Sequence, residues 1–261
     1  NVSAGRIDDF ALDGRLDAEG PDGALSFSFS GGAATYLPGL PPVEEAAGFA
    51  ELNAGGFALT ASEGHVAAEG GGRVSIAGSA MRVPDFRELP RAEFDLSGAG
   101  ALADALTILD AEPLGLVSKF GLSPTEVEGR ALASARLAFP LLKDLKIEEI
   151  DVSVDAALIE PRLSTPRLNV ALAAERLSLA ADRDALRLSG DARLDGVPAR
   201  LSWREAFSPA AGAPRARIAL EAEATPERLA ALGLDAAGAF VSGRAPARME
   251  VAMGAGWTEV D

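Results

Sequence analysis

Pro90-Arg91-Ala92-Glu93-Phe94-Asp95-Leu96 returns later in the chain as Pro214-Arg215-Ala216-Arg217-Ile218-Ala219-Leu220. Both stretches read PRA, then an apolar residue and a Leu at alternating positions. Alternation at period two marks a strand with one apolar and one polar face. Each copy runs into a stretch with helical spacing, 101–109 in the first and 226–232 in the second, where Thr225 is an N-cap followed by Pro226 at N1. Beyond it, Val127-Glu128-Gly129-Arg130-Ala131-Leu132-Ala133 is echoed by Val241-Ser242-Gly243-Arg244-Ala245-Pro246-Ala247. The order points to a duplicated strand-helix-strand unit, with approximate repeats over 43–139 and 158–253. Such repetition builds a long surface rather than one pocket.

The same alternation pervades the chain. Leu25, Phe27 and Phe29 fall on one face, as do the pairs Phe57 and Leu59, Val74 and Ile76, Phe94 and Leu96, and Val152 and Val154. It continues through Val170 and Leu172, Leu177 and Leu179, Leu186 and Leu188, Leu201 and Trp203, Ile218 and Leu220, and Met249 and Val251. Turn residues separate these runs at Pro21-Asp22-Gly23, Asn53-Ala54-Gly55-Gly56, Gly70-Gly71-Gly72, Asp182-Arg183-Asp184 and Asp195-Gly196. The expected fold is mainly β: an elongated, twisted antiparallel sheet, curled into an apolar groove or closed as a sandwich. Two or three short helices accompany it, with 114–121 as the third.

Composition narrows the chemistry. The chain has 261 residues, no Cys and one His, so thiolate sites and the usual zinc and non-haem iron ligand sets are ruled out. Twenty-four Lys and Arg against 39 Asp and Glu give a formal net charge of −15, which repels nucleic acid and anionic membrane surfaces at long range. No apolar run approaches the roughly 20 residues that cross a bilayer. The chain lacks an initiating Met, and reads as one continuous β-rich segment, 1–261, of a longer protein whose targeting or anchoring sequence lies elsewhere.

Catalytic signatures are weak. Ser97-Gly98-Ala99-Gly100-Ala101-Leu102-Ala103 fits G-x-G-x-x-A, but the second repeat has Glu221-Ala222-Glu223-Ala224-Thr225-Pro226 there, and the context lacks alternating long helices and buried parallel strands. A flexible lead into a helix is the expectation. His65, beside Gly64, reads as a solvated turn residue. Adjacent acids such as Asp8-Asp9, Glu44-Glu45 and Glu148-Glu149 point to opposite faces of a strand and do not flank one bond.

The run Leu186-Arg187-Leu188-Ser189-Gly190-Asp191-Ala192-Arg193-Leu194-Asp195-Gly196-Val197-Pro198, followed by Leu201-Ser202-Trp203 and Phe207, resembles the AsmA-like envelope proteins, particularly their YhdP branch. Leu232-Gly233-Leu234-Asp235 and Val241-Ser242-Gly243-Arg244 are similar to the segment that follows in that branch. The N-terminal half carries a similar order of motifs in Tyr36-Leu37-Pro38, Gly48-Phe49, Phe57, Val83-Pro84, Asp104-Ala105-Leu106 and Glu112-Pro113-Leu114. The resemblance implies a periplasmic segment of an inner-membrane-anchored protein that needs no cofactor and holds phospholipid acyl chains in a β groove. Envelope proteins at the two membranes are its implied partners. Val170, Leu172, Leu177, Leu179, Leu186, Leu188, Ile218, Leu220, Met249 and Val251 are the candidate lining residues. A structural or adhesive module with a sealed core is the alternative.

Overall fold

The computed structural model describes residues 2–17, 20–36, 39–86, 89–142, 144, 146, 149–165, 170–225, 244–254 and 256–260. These divide into two compact units, Asn1–Pro124 with Leu132–Val154, and Thr125–Ala131 with Asp155–Asp261. The chain is mainly β and antiparallel, as its alternation predicts, with a single α-helix among the described residues.

The first unit holds β1 (Val2–Asp17), β2 (Gly20–Ala34), β3 (Val43–Asn53), β4 (Gly56–Ala67), β5 (Arg73–Ser75), β6 (Ala80–Val83) and β7 (Arg91–Ala101). Their hydrogen-bonded order is β1-β2-β3-β4-β5-β7, and β6 pairs with both β4 and β7. β8 (Val127–Pro140) follows β7 in that order and contributes residues to both units. Register puts Phe10 opposite Phe27, Phe27 opposite Ala50, Ala50 opposite Leu59, Leu59 opposite Met81 and Met81 opposite Phe94. Directly opposed residues point to the same side, so this row runs across one apolar face. At its end the Phe94 ring stacks on Phe139, with centroids 5.6 Å apart. Gly48 lies between Phe29 and Ala61 on the same face, where a β-carbon would collide with the Thr60 carbonyl and touch the Phe29 ring.

Helix α1 (Leu102–Asp110) follows β7. It begins one residue later than the sequence spacing predicts, buries Leu102, and carries Asp104 in its first turn, where the helix dipole favours an acid. The predicted helix over 114–121 does not form. Gly115 and Gly121 take left-handed backbone angles, φ 51° and 71°, and only a 3-10 turn at Ser118–Phe120 lies between them. The G-x-G stretch is not a flexible lead into the helix either, since Gly98 and Gly100 belong to β7. A β-carbon on Gly100 would approach the Arg73 carbonyl oxygen to 3.0 Å, so its glycine serves close strand packing.

The second unit holds β9 (Asp151–Thr165, shared with the first), β10 (Val170–Ala174), β11 (Arg176–Ala181), β12 (Ala185–Leu194), β13 (Val197–Ala206), β14 (Ala216–Ala224), β15 (Ala245–Gly254) and β16 (Trp257–Val260). After β9 the order is β10-β12-β13-β14-β15-β16, and β11 pairs with β12 and β9. Within it the strands are joined in a single hydrogen-bonded sheet. The two PRA motifs lie at the starts of β7 and β14, Arg91 and Ala216 being the first strand residues. The second predicted helix, 226–232, and the echo at 241–243 lie outside the described residues.

Candidate functional site: an apolar sheet face

Unbroken pairing between β12, β13, β14 and β15 fixes which side chains share a face. Leu188 is opposite both Leu179 and Trp203, Trp203 is opposite Ile218, and Ile218 is opposite Val251. Two positions along, Leu201 is opposite Leu220 and Leu220 opposite Met249. Leu186 pairs with Ala181, and Leu172 pairs with Leu194 and Leu163. Period-two geometry therefore gathers Leu172, Leu177, Leu179, Leu186, Leu188, Ile218, Leu220, Met249 and Val251 on one side of the sheet. Val170 pairs with Thr165, and its side chain is outside the described residues.

Burial on this face is graded. Leu177, Ala192 and Leu201 form a buried cluster, with Leu172, Leu188, Ile218 and Leu220 packed against it half-buried. Leu177 is 2% exposed. Toward the β16 edge the face opens, with Met249 42% and Val260 62% exposed. Gly190 makes room for the cluster: opposite Leu201, at φ 154°, it would place a β-carbon 2.8 Å from Leu177 Cδ2 and 2.8 Å from the Arg176 carbonyl oxygen.

A buried carboxylate also stands on the apolar side. Glu205, 5% exposed, follows the inward positions Leu201 and Trp203 in β13. It is satisfied from two directions. Arg215 Nε donates to Oε1 at 2.6 Å and Trp203 Nε1 donates to Oε2 at 3.3 Å. The apolar pattern alone does not single out Glu205, although an acid at an inward position of an alternating strand is the signal that finds it.

The other side of the same strands is charged. Arg200 pairs with Asp191 at 3.3 Å, Arg217 with Glu250 at 2.9 Å, and Arg248 with Glu221 at 3.7 Å. Arg187 reaches Asp182 at 3.0 Å. That hydrogen bond, joined by the backbone N–H groups of Ala185 and Asp184, lowers the Asp182 carboxyl to about 2.

In the first unit His65 corrects two expectations. It is 8% exposed, inside β4 opposite Glu44 and Ser75, rather than solvated in a turn. Both Glu44 and Glu45 approach it, at 3.7 Å from Nε2 and 3.6 Å from Nδ1. Adjacent acids meet one imidazole because the β3–β4 register shifts between Glu44 and Ala47, and Glu45 takes φ 53°. The pair Glu148-Glu149 lies partly outside the described residues. Among the described residues no set of three or more His, Asp or Glu is placed to hold a metal, and no helix is long and apolar enough to cross a membrane.

The fold is mainly β, and one side of the second unit's sheet is apolar. No protein family, curated protein or solved structure matches the chain.

Proposed function

We propose that the chain is a non-catalytic periplasmic segment of a bridge-like lipid-transfer protein, holding phospholipid acyl chains against its apolar face between the inner and outer membranes. The observation that supports this reading is the shared face of Leu172, Leu179, Leu188, Ile218, Leu220, Met249 and Val251, half-buried to exposed. Aliphatic side chains in cross-strand rows match methylene chains without needing a fixed register. Each methylene removed from water contributes about 0.8 kcal/mol, so one acyl chain binds reversibly and the two chains of a phospholipid bind more firmly with no headgroup contact. Membrane anchorage and envelope partners belong to the same proposal, through the resemblance in the sequence.

A structural module with a sealed core is the second reading, favoured by the buried cluster of Leu177, Ala192 and Leu201. Native mass spectrometry after incubation with phospholipid vesicles separates the two. The lipid reading expects bound phospholipid that diminishes in Met249→Glu, a change at an exposed position that leaves the cluster intact. A folded protein free of lipid under these conditions overturns it.

A further inference from the structure

We propose that the polar face of the second unit carries a phosphate-binding site built by Arg187, Arg204 and Arg217, with Ser189 and Ser202 beside them. Register places Arg204 directly opposite Arg187 on β12 and Arg217 on β14, so three guanidinium groups cross adjacent strands in one row. At the usual spacing of about 4.8 Å between strands, the row spans roughly 10 Å. In the next row Ser189 is opposite Ser202, putting two hydroxyls beside the arginines.

The surroundings of Arg204 set it apart. Its neighbours two positions away along β13 are Ser202 and Ala206, and the residues flanking its partners are Ala185, Ser189, Arg215 and Ala219, with no acid among them, Arg215 being turned to Glu205. Arg187 and Arg217 draw their carboxylates from outside that ring, Asp182 in the β11–β12 turn and Glu250 in β15. Arg200 and Arg248 on the same face are paired as well. Arg204 has no carboxylate partner among the described residues and is exposed, in a chain with 39 acids to 24 bases.

Like charges directly opposite each other on a sheet are unfavourable, and although Asp182 and Glu250 offset two of them, Arg204 stands between the pair with no counter-charge of its own. A phosphate resolves that conflict: its oxygens accept paired N–H donors from planar guanidinium groups, and its charge offsets the repulsion. The ligand chemistry is a phosphate group, from a lipid headgroup or a free phosphate compound. The site lies on the side of the sheet opposite the apolar rows and stands independently of the acyl-chain proposal.

Two probes test it on the full chain at low ionic strength: inorganic pyrophosphate by calorimetry, and phosphatidylcholine vesicles with or without phosphatidylglycerol by flotation. Arg204→Gln is compared with Arg200→Gln, which removes an already paired guanidinium on the same face. The proposal expects binding of at least one probe, weakened about tenfold or more by Arg204→Gln and changed less than about twofold by Arg200→Gln. Without ligand, Arg204→Gln is expected to melt no lower than the parent, because it relieves repulsion. Pyrophosphate binding alone assigns a free phosphate compound, and phosphatidylglycerol-dependent flotation assigns a headgroup. Neither probe binding the parent, or equal loss in both variants, overturns the site.

Discussion

Leu177 packs over Gly190, and the two are complementary: the most buried large side chain of the second unit occupies space that exists because its neighbour has no β-carbon. The contact joins β11 to β12 beneath the apolar face and anchors the cluster with Ala192 and Leu201. It explains how a face that opens toward solvent at Met249 still has a solid centre.

Leu177→Ala is expected to destabilise the protein by about 2–4 kcal/mol, through lost burial and the cavity left behind. Gly190→Ala is expected to destabilise it as well, because the added methyl meets both Leu177 and the Arg176 carbonyl in a backbone conformation that favours glycine. Urea unfolding of the two variants measures both. An unchanged midpoint in either contradicts the packing described.

Removing the guanidinium that serves Glu205 is expected to cost about 1–3 kcal/mol, since a buried carboxylate loses its shortest hydrogen bond. The figure stays below that for a fully buried ion pair because Arg215 is half exposed. Arg215→Ala and Glu205→Gln, alone and combined, form a double-mutant cycle. The double variant is expected to lose less than the sum of the singles.

Asp182 gives a signed pH dependence. Its carboxyl is held at about 2 by Arg187 and two backbone N–H groups, below the ordinary value of 3.8. A depressed carboxyl stabilises the fold above its unfolded value, and that contribution is lost as pH falls from about 4 toward 2. Urea midpoints across this window are expected to fall less steeply in Asp182→Asn than in the parent. Parallel curves contradict the assignment.

The clean alternation of Leu186-Arg187-Leu188 and Ile218-Ala219-Leu220 makes the faces of β12 and β14 readable from the sequence, because their pairing runs without a shift. β1 and β3 carry no such signature. Register shifts interrupt both: at Ile7/Asp9, so that Ile7 and Phe10, three positions apart, share the face of Phe29 and Phe27, and at Glu44/Ala47 in β3. The same bulge hides the meeting of Glu44 and Glu45 at His65. Arg204 and its two arginine neighbours become a row only through pairing across strands, which local periodicity does not encode. Glu205 is legible in principle, as the one acid in the inward phase of β13.

Met249 and Arg248 are adjacent in sequence and point to opposite sides of β15, Met249 across from Leu220 and Arg248 across from Glu221. Photo-crosslinking from each position, with a diazirine side chain in protein incubated with phospholipid vesicles, tests the acyl-chain proposal most directly. It predicts phospholipid adducts from position 249 and few from position 248. Equal labelling at both positions, or none at 249 in a folded protein, contradicts it.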